Sequence, residues 1–230
     1  TGIMVSDLCL GSMTWGTQNS ESEGHSQIDM ALERGVNFID TAEMYPVNPI
    51  SADTIGNTES IIGTWNAQNA ARRADYVLAT KISGEGLGHV RGGARISGAS
   101  LAESFEGSLR RLQTERIDLF QLHWPNRGSF QFRQNWTFDP TGRDSAQRVR
   151  DEISEILEAA QRLIDQGKLG ALGLSNESAW GIAQWCRVSE ERGLPRVASV
   201  QNEYSLMCRM ADTDVAEACV NEGIDMFAFS

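Results

Sequence analysis

Seven short apolar runs recur along the chain, LCLGSM, VNFIDT, YVLATK, IDLFQLH, GALGLS, VASVQN and IDMFAFS, and a longer stretch with helical periodicity separates each from the next. Apolar runs of this length, bounded by turn residues, read as strands. Apolar on nearly every residue, they are covered on both faces, the habit of parallel strands flanked by helices. Strand–helix–strand units cross over right-handedly, so the repeat leaves a barrel or an open doubly wound sheet.

The intervening stretches are SEGHSQIDMALERG, NTESIIGTWNAQN, LAESFEGSLRRLQ, VRDEISEILEAAQRLIDQGK, ESAWGIAQWCRVSEERG and DTDVAEACVNEG. In the fourth, Ile153, Ile156, Leu157, Ala160, Leu163 and Ile164 recur at intervals of three and four, which makes one apolar helix face. Gly35, Gly167, Gly193 and Gly223 stand where helices must stop through a left-handed residue before the next strand. No linker rich in Pro, Gly or Ser divides the chain, so residues 1–230 read as one domain. Two long irregular stretches interrupt the repeat, 46–56 and 125–144, the second with Trp124, Phe130, Phe132, Trp136 and Phe138 in or beside it. Loops of that length in a compact domain are lids or binding walls. Their aromatics serve either local packing or a substrate.

A formal net charge of -11 argues against a nucleic-acid partner, which needs clustered Lys and Arg. Cys9, Cys186, Cys208 and Cys219 show neither CxxC spacing nor His partners, which points to reduced thiols and not to a zinc site or disulfide framework. No run approaches the roughly 20 apolar residues that span a bilayer, and no secretory leader opens the chain. The expectation is a cytoplasmic protein with a small-molecule ligand and no membrane partner.

The last residues of the strands carry the strongest functional signal. NFID ends in Asp40, YVLATK in Lys81, LFQLH in His123, LGLSN in Ser175 and Asn176, ASVQN in Gln201 and Asn202, and MFAFS in Ser230. Singly each has an ordinary explanation: Asp40 as a turn cap, Lys81 as the first solvated residue, His123 as a hydrogen-bonded core histidine, Tyr45 as a loop aromatic. In a parallel barrel, however, those ends share one face, where active sites are built.

Asp, Lys, Tyr and His on one face form a proton-transfer set. A tyrosine hydroxyl is a poor acid at neutral pH unless a cation stabilises its phenolate, and Lys81 is placed to be that cation. A buried ammonium needs a partner to keep its charge, and Asp40 would hold Lys81 protonated and aimed at Tyr45. His123, if neutral, would orient and polarise a carbonyl oxygen. No side chain donates hydride, so a redox reading requires a cofactor. Ser175, Asn176 and Gln201 suit a carboxamide, and Phe229 suits stacking on a flat ring.

LGSMTWG, NFIDTAEMY, LATK, LFQLHWP, GALGLSNE and VQNEYSL, in this order and spacing, resemble the aldo-keto reductases, and most closely their Tas-type branch. The resemblance implies an α/β fold, a parallel (β/α)8 TIM barrel, that binds NADPH and reduces an aldehyde or ketone to an alcohol. It implies Tyr45 as general acid, Lys81 and Asp40 tuning it, His123 steering the carbonyl, and Ser175, Asn176 and Gln201 on the nicotinamide amide. Phe229 falls where the family usually stacks a tyrosine, and Thr14, Trp15 and Ser230 fall beside the cofactor. Against the family's eight strands the chain ends at Ser230 after the seventh, so it reads as C-terminally incomplete, without the eighth β/α unit and the loop that wraps the pyrophosphate. Poor stability and weak NADPH binding are therefore expected of it.

Two rival readings are less well supported. A non-catalytic, redox-sensing barrel similar to potassium-channel β-subunits would be marked by loss of one of the four catalytic residues, and all four are present. A metal-dependent hydrolase needs at least three ligands at strand ends, which Asp40 and His123 do not supply. SGEGLGHVRGG, residues 83–93, does not open a helix as phosphate cradles do and reads as a loop. His25 and His89 read as solvated surface.

Overall fold

A computed structural model describes residues 2–141 and 144–230. All seven expected strands form: β1 (Leu10–Gly11), β2 (Phe38–Asp40), β3 (Val77–Ile82), β4 (Ile117–Leu122), β5 (Leu169–Ser175), β6 (Ser199–Glu203) and β7 (Asp225–Phe229). Six helices alternate with them: α1 (Glu21–Glu33), α2 (Asn57–Gln68), α3 (Gly98–Leu112), α4 (Ala146–Asp165), α5 (Ala179–Arg192) and α6 (Asp214–Glu222). The strands lie in sequence order and every neighbouring pair is parallel. The sheet curls on itself: the Phe38 and Phe227 rings, on β2 and β7, meet at 5.0 Å. The architecture is a half-barrel with seven of the eight strands of a (β/α)8 fold among the described residues.

The local chemistry of the helix ends explains where each helix starts and stops. Ser20 caps α1 in a reciprocal box with Glu23, and Ser97, Ser145 and Ser178 cap α3, α4 and α5, each accepting a backbone N–H from the first turn. Gly193 and Gly223 end α5 and α6 at φ 63°, a left-handed conformation that costs a side-chain-bearing residue more. On α4 the expected stripe of Ile153, Ile156, Leu157, Ala160 and Leu163 is buried, whereas Ile164 is only partly so. Each such buried aliphatic side chain contributes roughly 1.5–3 kcal/mol.

Strand residues alternate between two cores. Ile39, Leu78, Phe120, Leu172 and Val200 face outward and pack under the helices, against Ile28, Ile62, Phe105 and Ile182. Phe38, Ala79, Leu119 and Ala171 face inward and, with Ile3, Val5 and Phe227, fill the amino-terminal half of the interior. Period two then puts Asp40, Lys81, Gln121, Gly173, Ser175 and Gln201 on the same inner face, one step toward the carboxyl ends.

His25 departs from its expected surface position. Its Nε2 lies 2.9 Å from the Ile61 carbonyl and 3.0 Å from Thr64 Oγ1, so the ring joins α1 to α2. A helix flank packed on its neighbour offers such acceptors, and a half-buried imidazole takes them. His89 is exposed, as expected. The four cysteines are free thiols. Among the described residues no helix is long and apolar enough to cross a membrane.

Candidate active site

At the carboxyl ends of the strands lies a cavity of about 480 Å³, lined by Asp40, Tyr45, His123, Ser175, Asn176, Gln201, Phe229 and Ser230 among others. That volume suits a small organic ligand. Eight of the eleven residues expected at the site therefore share one cavity. Lys81 lies behind its wall, fully buried.

Asp40 is the hub of the polar groups. Its Oδ2 accepts from Lys81 Nζ at 2.5 Å, and its Oδ1 accepts from both Gln121 Nε2 and Gln201 Nε2 at 3.1 Å. Lys81 Nζ also donates to the Thr41 carbonyl at 2.9 Å and lies 5.1 Å from the centre of the Tyr45 ring. Burial, the largest single influence, works to strip the Lys81 proton, but the Asp40 charge, Tyr45 and the hydrogen bond to Asp40 together outweigh it, so the ammonium is held above its usual range. Asp40 keeps the lysine charged.

Tyr45 sits in a loop that extends the pairing of β2: Thr41 N donates to the Ala79 carbonyl and Glu43 N to the Lys81 carbonyl. The loop is anchored from behind by Glu43, whose carboxylate accepts from Ser83 N at 2.6 Å, Ser104 Oγ at 2.5 Å and Arg91 Nη1 at 2.5 and 2.6 Å. Arg91 belongs to the glycine-rich stretch 83–93, which is thus tied to the site loop. Burial pushes the Tyr45 phenol up, and Lys81 opposes this by charge and hydrogen bonding without cancelling it. The net direction is opposite to a phenol made more acidic by Lys81 alone. Tyr45 is a protonated hydroxyl at neutral pH.

The His123 ring meets the Tyr45 ring edge-on at 5.7 Å and lies 5.0 Å from Trp124. Burial, then the nearby Lys81 charge, push its pKa well below the ordinary value, so the imidazole is neutral. A neutral ring carries one N–H and one acceptor nitrogen. A hydroxyl donor and an imidazole donor facing one cavity can both reach a carbonyl oxygen, one to polarise it and one to protonate it.

Asn176 follows β5 at φ 54°, an unusual conformation outside glycine, and gives its Nδ2 to the His123 carbonyl at 2.8 Å and to Ser175 Oγ at 3.0 Å. Its Oδ1 is buried without a partner. Ser175 Oγ donates to the Gln201 carbonyl at 2.8 Å. A buried amide acceptor without a partner, on a residue that lines the cavity, matches the N–H donors of a carboxamide in kind, and Phe229 on β7 borders the same space.

Thr14 and Trp15 lie elsewhere. Thr14 Oγ1 donates to Asn19 Oδ1 within its own turn. The Trp15 indole is buried in the helix-side core, pressed on Gly24 and Ile61, with Nε1 on Gln27 Oε1 at 3.0 Å. Its bulk and its single donor are both satisfied there. Of the aromatics near loop 125–144, Trp124 and Phe132 line the cavity, Phe130 and Phe138 meet edge to face at 4.6 Å, and Trp136 is exposed. Residues 142–143 of that loop lie outside the described residues. Gln121 and Glu43 were not anticipated. Gln121 stands two residues before His123, and the alternation of β4 was the available signal.

The model of the aldo/keto reductase family matches residues 7–230. Over its full length the chain is 36% identical to Protein tas of Escherichia coli (strain K12), of which it spans 65%. It is 34% identical over its full length to the uncharacterized oxidoreductase YrpG of Bacillus subtilis (strain 168), spanning 64% of that protein. Over 97% of its length it is 29% identical to norsolorinic acid reductase B of Aspergillus parasiticus, spanning 54% of it. The chain thus spans less than two thirds of the length of each of these relatives.

Proposed function

The chain belongs to the aldo/keto reductase family, on its Tas-like branch, and from that premise we propose that its site reduces the carbonyl of an aldehyde or ketone to an alcohol, with NADPH as hydride source and Tyr45 as proton donor. The observation that carries this reading is the convergence on one cavity of a protonated Tyr45 and a neutral His123, with a charged Lys81 held by Asp40 behind its wall. Several relatives bear oxidoreductase names, which supports the reaction class. The choice of NADPH over NADH rests on the family.

The residues present fit a nicotinamide. Asn176, with its unpartnered Oδ1, Ser175 and Gln201 would hold the carboxamide, and Phe229 would border the ring. When bound, the reduced nicotinamide supplies the hydride. The protein's own part is position and the proton. His123 donates a ring N–H to the substrate oxygen, and this orients it toward Tyr45. As negative charge develops on that oxygen, the Tyr45 hydroxyl gives up its proton, and the Lys81 ammonium stabilises the phenolate left behind. Asp40 keeps Lys81 charged through the cycle.

The test is loss of NADPH absorbance at 340 nm with an aromatic aldehyde such as 4-nitrobenzaldehyde, and cofactor affinity by fluorescence titration. Tyr45→Phe is expected to lower kcat by roughly 10²–10⁴-fold, the usual share of a general acid, with cofactor affinity unchanged. A Tyr45→Phe variant as active as the parent would remove Tyr45 from the chemistry.

A further inference from the structure

Gln121 is fully buried on the inner face of the sheet, level with Lys81 on one neighbouring strand and Gly173 on the other. A Cβ at Gly173 would lie 3.1 Å from Gln121 Cγ, so the glycine makes room for the glutamine stem. Gln121 Nε2 donates to Asp40 Oδ1, while Gln121 Oε1 is buried with no partner. The opposite rotamer would set Oε1 against the carboxylate, acceptor against acceptor. The orientation is therefore dictated by Asp40, and the molecule tolerates an unsatisfied buried oxygen to keep it. An apolar side chain of the same shape would leave no orphan, so packing does not account for an amide here.

We propose that Gln121 is a positioning residue that, by donating to Asp40 Oδ1, shares this carboxylate's charge with Lys81, and so governs how far the Lys81 ammonium acts on Tyr45 and its proton. The proposal rests on the reduction reading of the site. The two Asp40 oxygens have different partners, Oδ2 serving Lys81 and Oδ1 accepting from the neutral amides of Gln121 and Gln201. Gln201 lines the cavity and is open to a ligand, whereas Gln121 has no other donor role. Without Gln121 the Asp40 carboxylate carries more of its charge unshared. Lys81 is then bound more tightly to Asp40 and spends less of its field on Tyr45, which becomes a weaker acid. The titratable groups that face this unit are Cys9 ahead of β1, Tyr45, Lys81 and His123. His123 is held neutral, so it does not compete across neutral pH.

Two variants test this. Gln121→Met keeps the volume and removes the donor, and Gln121→Asn keeps the amide but withdraws it by one methylene. In both, the alkaline limb of kcat for reduction should move upward by about half a pH unit or more, a roughly threefold change in the protonated fraction of Tyr45. KM for the aldehyde should stay within about twofold while kcat falls, because a weaker acid delivers its proton less readily. If either variant folds by circular dichroism and its limb stays in place, Gln121 only packs and the proposal is overturned. Tyrosinate absorbance at 295 nm gives a second readout, since the chain has three tyrosines and subtracting Tyr45→Phe isolates one. If the parent reduces no carbonyl, the reduction reading fails on its own. The Tyr45 absorbance titration then still decides whether Gln121 sets its acidity, a shift supporting the proposal and no shift overturning it.

Discussion

Replacing Asp40 with asparagine isolates the charge from the shape. Lys81 Nζ donates to Asp40 Oδ2 and the Thr41 carbonyl, Asp40 is its carboxylate partner, and its side chain is 1% exposed. The asparagine is nearly isosteric, so no cavity opens. It has one acceptor end, however, where Asp40 had two. Turned toward Lys81, that oxygen leaves the asparagine NH2 facing the amide donors of Gln121 and Gln201. Turned the other way, the NH2 faces an ammonium. In either case a buried cation loses its counter-ion, a change that costs about 3–5 kcal/mol. For a chain of this size that is a fall in Tm of roughly 6–20 °C, at about 2–4 °C per kcal/mol. The pH dependence follows from the sign of the Lys81 shift. In the parent the folded pKa is raised, so its contribution is complete below the unfolded lysine value near 10.4 and fades above it. In Asp40→Asn the ammonium has no counter-ion, its folded pKa falls, and the deficit shrinks as pH rises toward about 10.4. Urea unfolding at pH 7 and pH 9.5 measures both. Lys81→Met added to Asp40→Asn should recover most of the loss, since an uncharged side chain needs no partner. An Asp40→Asn variant within about 1 kcal/mol of the parent, or a double variant no better than the single one, would refute the account of Lys81 as a buried charge held by Asp40.

Two further outcomes concern the frame around the site. A Cβ at Gly63 on α2 would overlap the Arg111 carbonyl of α3, so Gly63→Ala should destabilise by roughly 1–3 kcal/mol in urea. A gain of up to about 1 kcal/mol, the usual result in a helix interior, would show that the helices can part without loss. Burial raises the Tyr76 phenol to about 12, and its hydroxyl donates to Asn66 Oδ1 at 2.5 Å. Its folded pKa lies above the unfolded value near 10, so the stability it confers is complete below pH 10 and is lost between pH 10 and about 12. Tyr76→Phe should cost about 1–3 kcal/mol at pH 7, by orphaning Asn66 Oδ1, and should flatten that alkaline decline. Parallel pH curves for the two proteins would contradict it.

The strands and helices were legible because each carries its own periodicity and stop signal. The first strand was the exception: LCLGSM suggests six residues, and only Leu10–Gly11 pair. A strand at the sheet edge has one neighbour, and after Gly11 the chain leaves the ladder, Ser12 Oγ reaching the Asp40 carbonyl. Polar strand ends pointed correctly to the cavity because a parallel barrel forces them onto one face. Gln121 lies two positions inside its run, where the last residue of the strand does not reveal it. The Glu43–Arg91 pair was not legible, for its partners are 48 residues apart and nothing local marks either one. Nor was the direction of the Tyr45 shift, since a string of residues lists the charged neighbours but not the burial that outweighs them.

The partners of Asp40 lie far apart in time as well as in sequence. Lys81 follows it by 41 residues and Gln121 by 81, but Gln201 comes 161 residues later. At a synthesis rate of about 5–20 residues per second, roughly 8–32 s separate the appearance of Asp40 from that of Gln201. Through that interval a nascent chain can bring Asp40 and Lys81 together but cannot complete the shell around them. The last donor arrives only with the sixth strand, so the hydrogen-bond shell of Asp40 closes only after the five strands before it have been made.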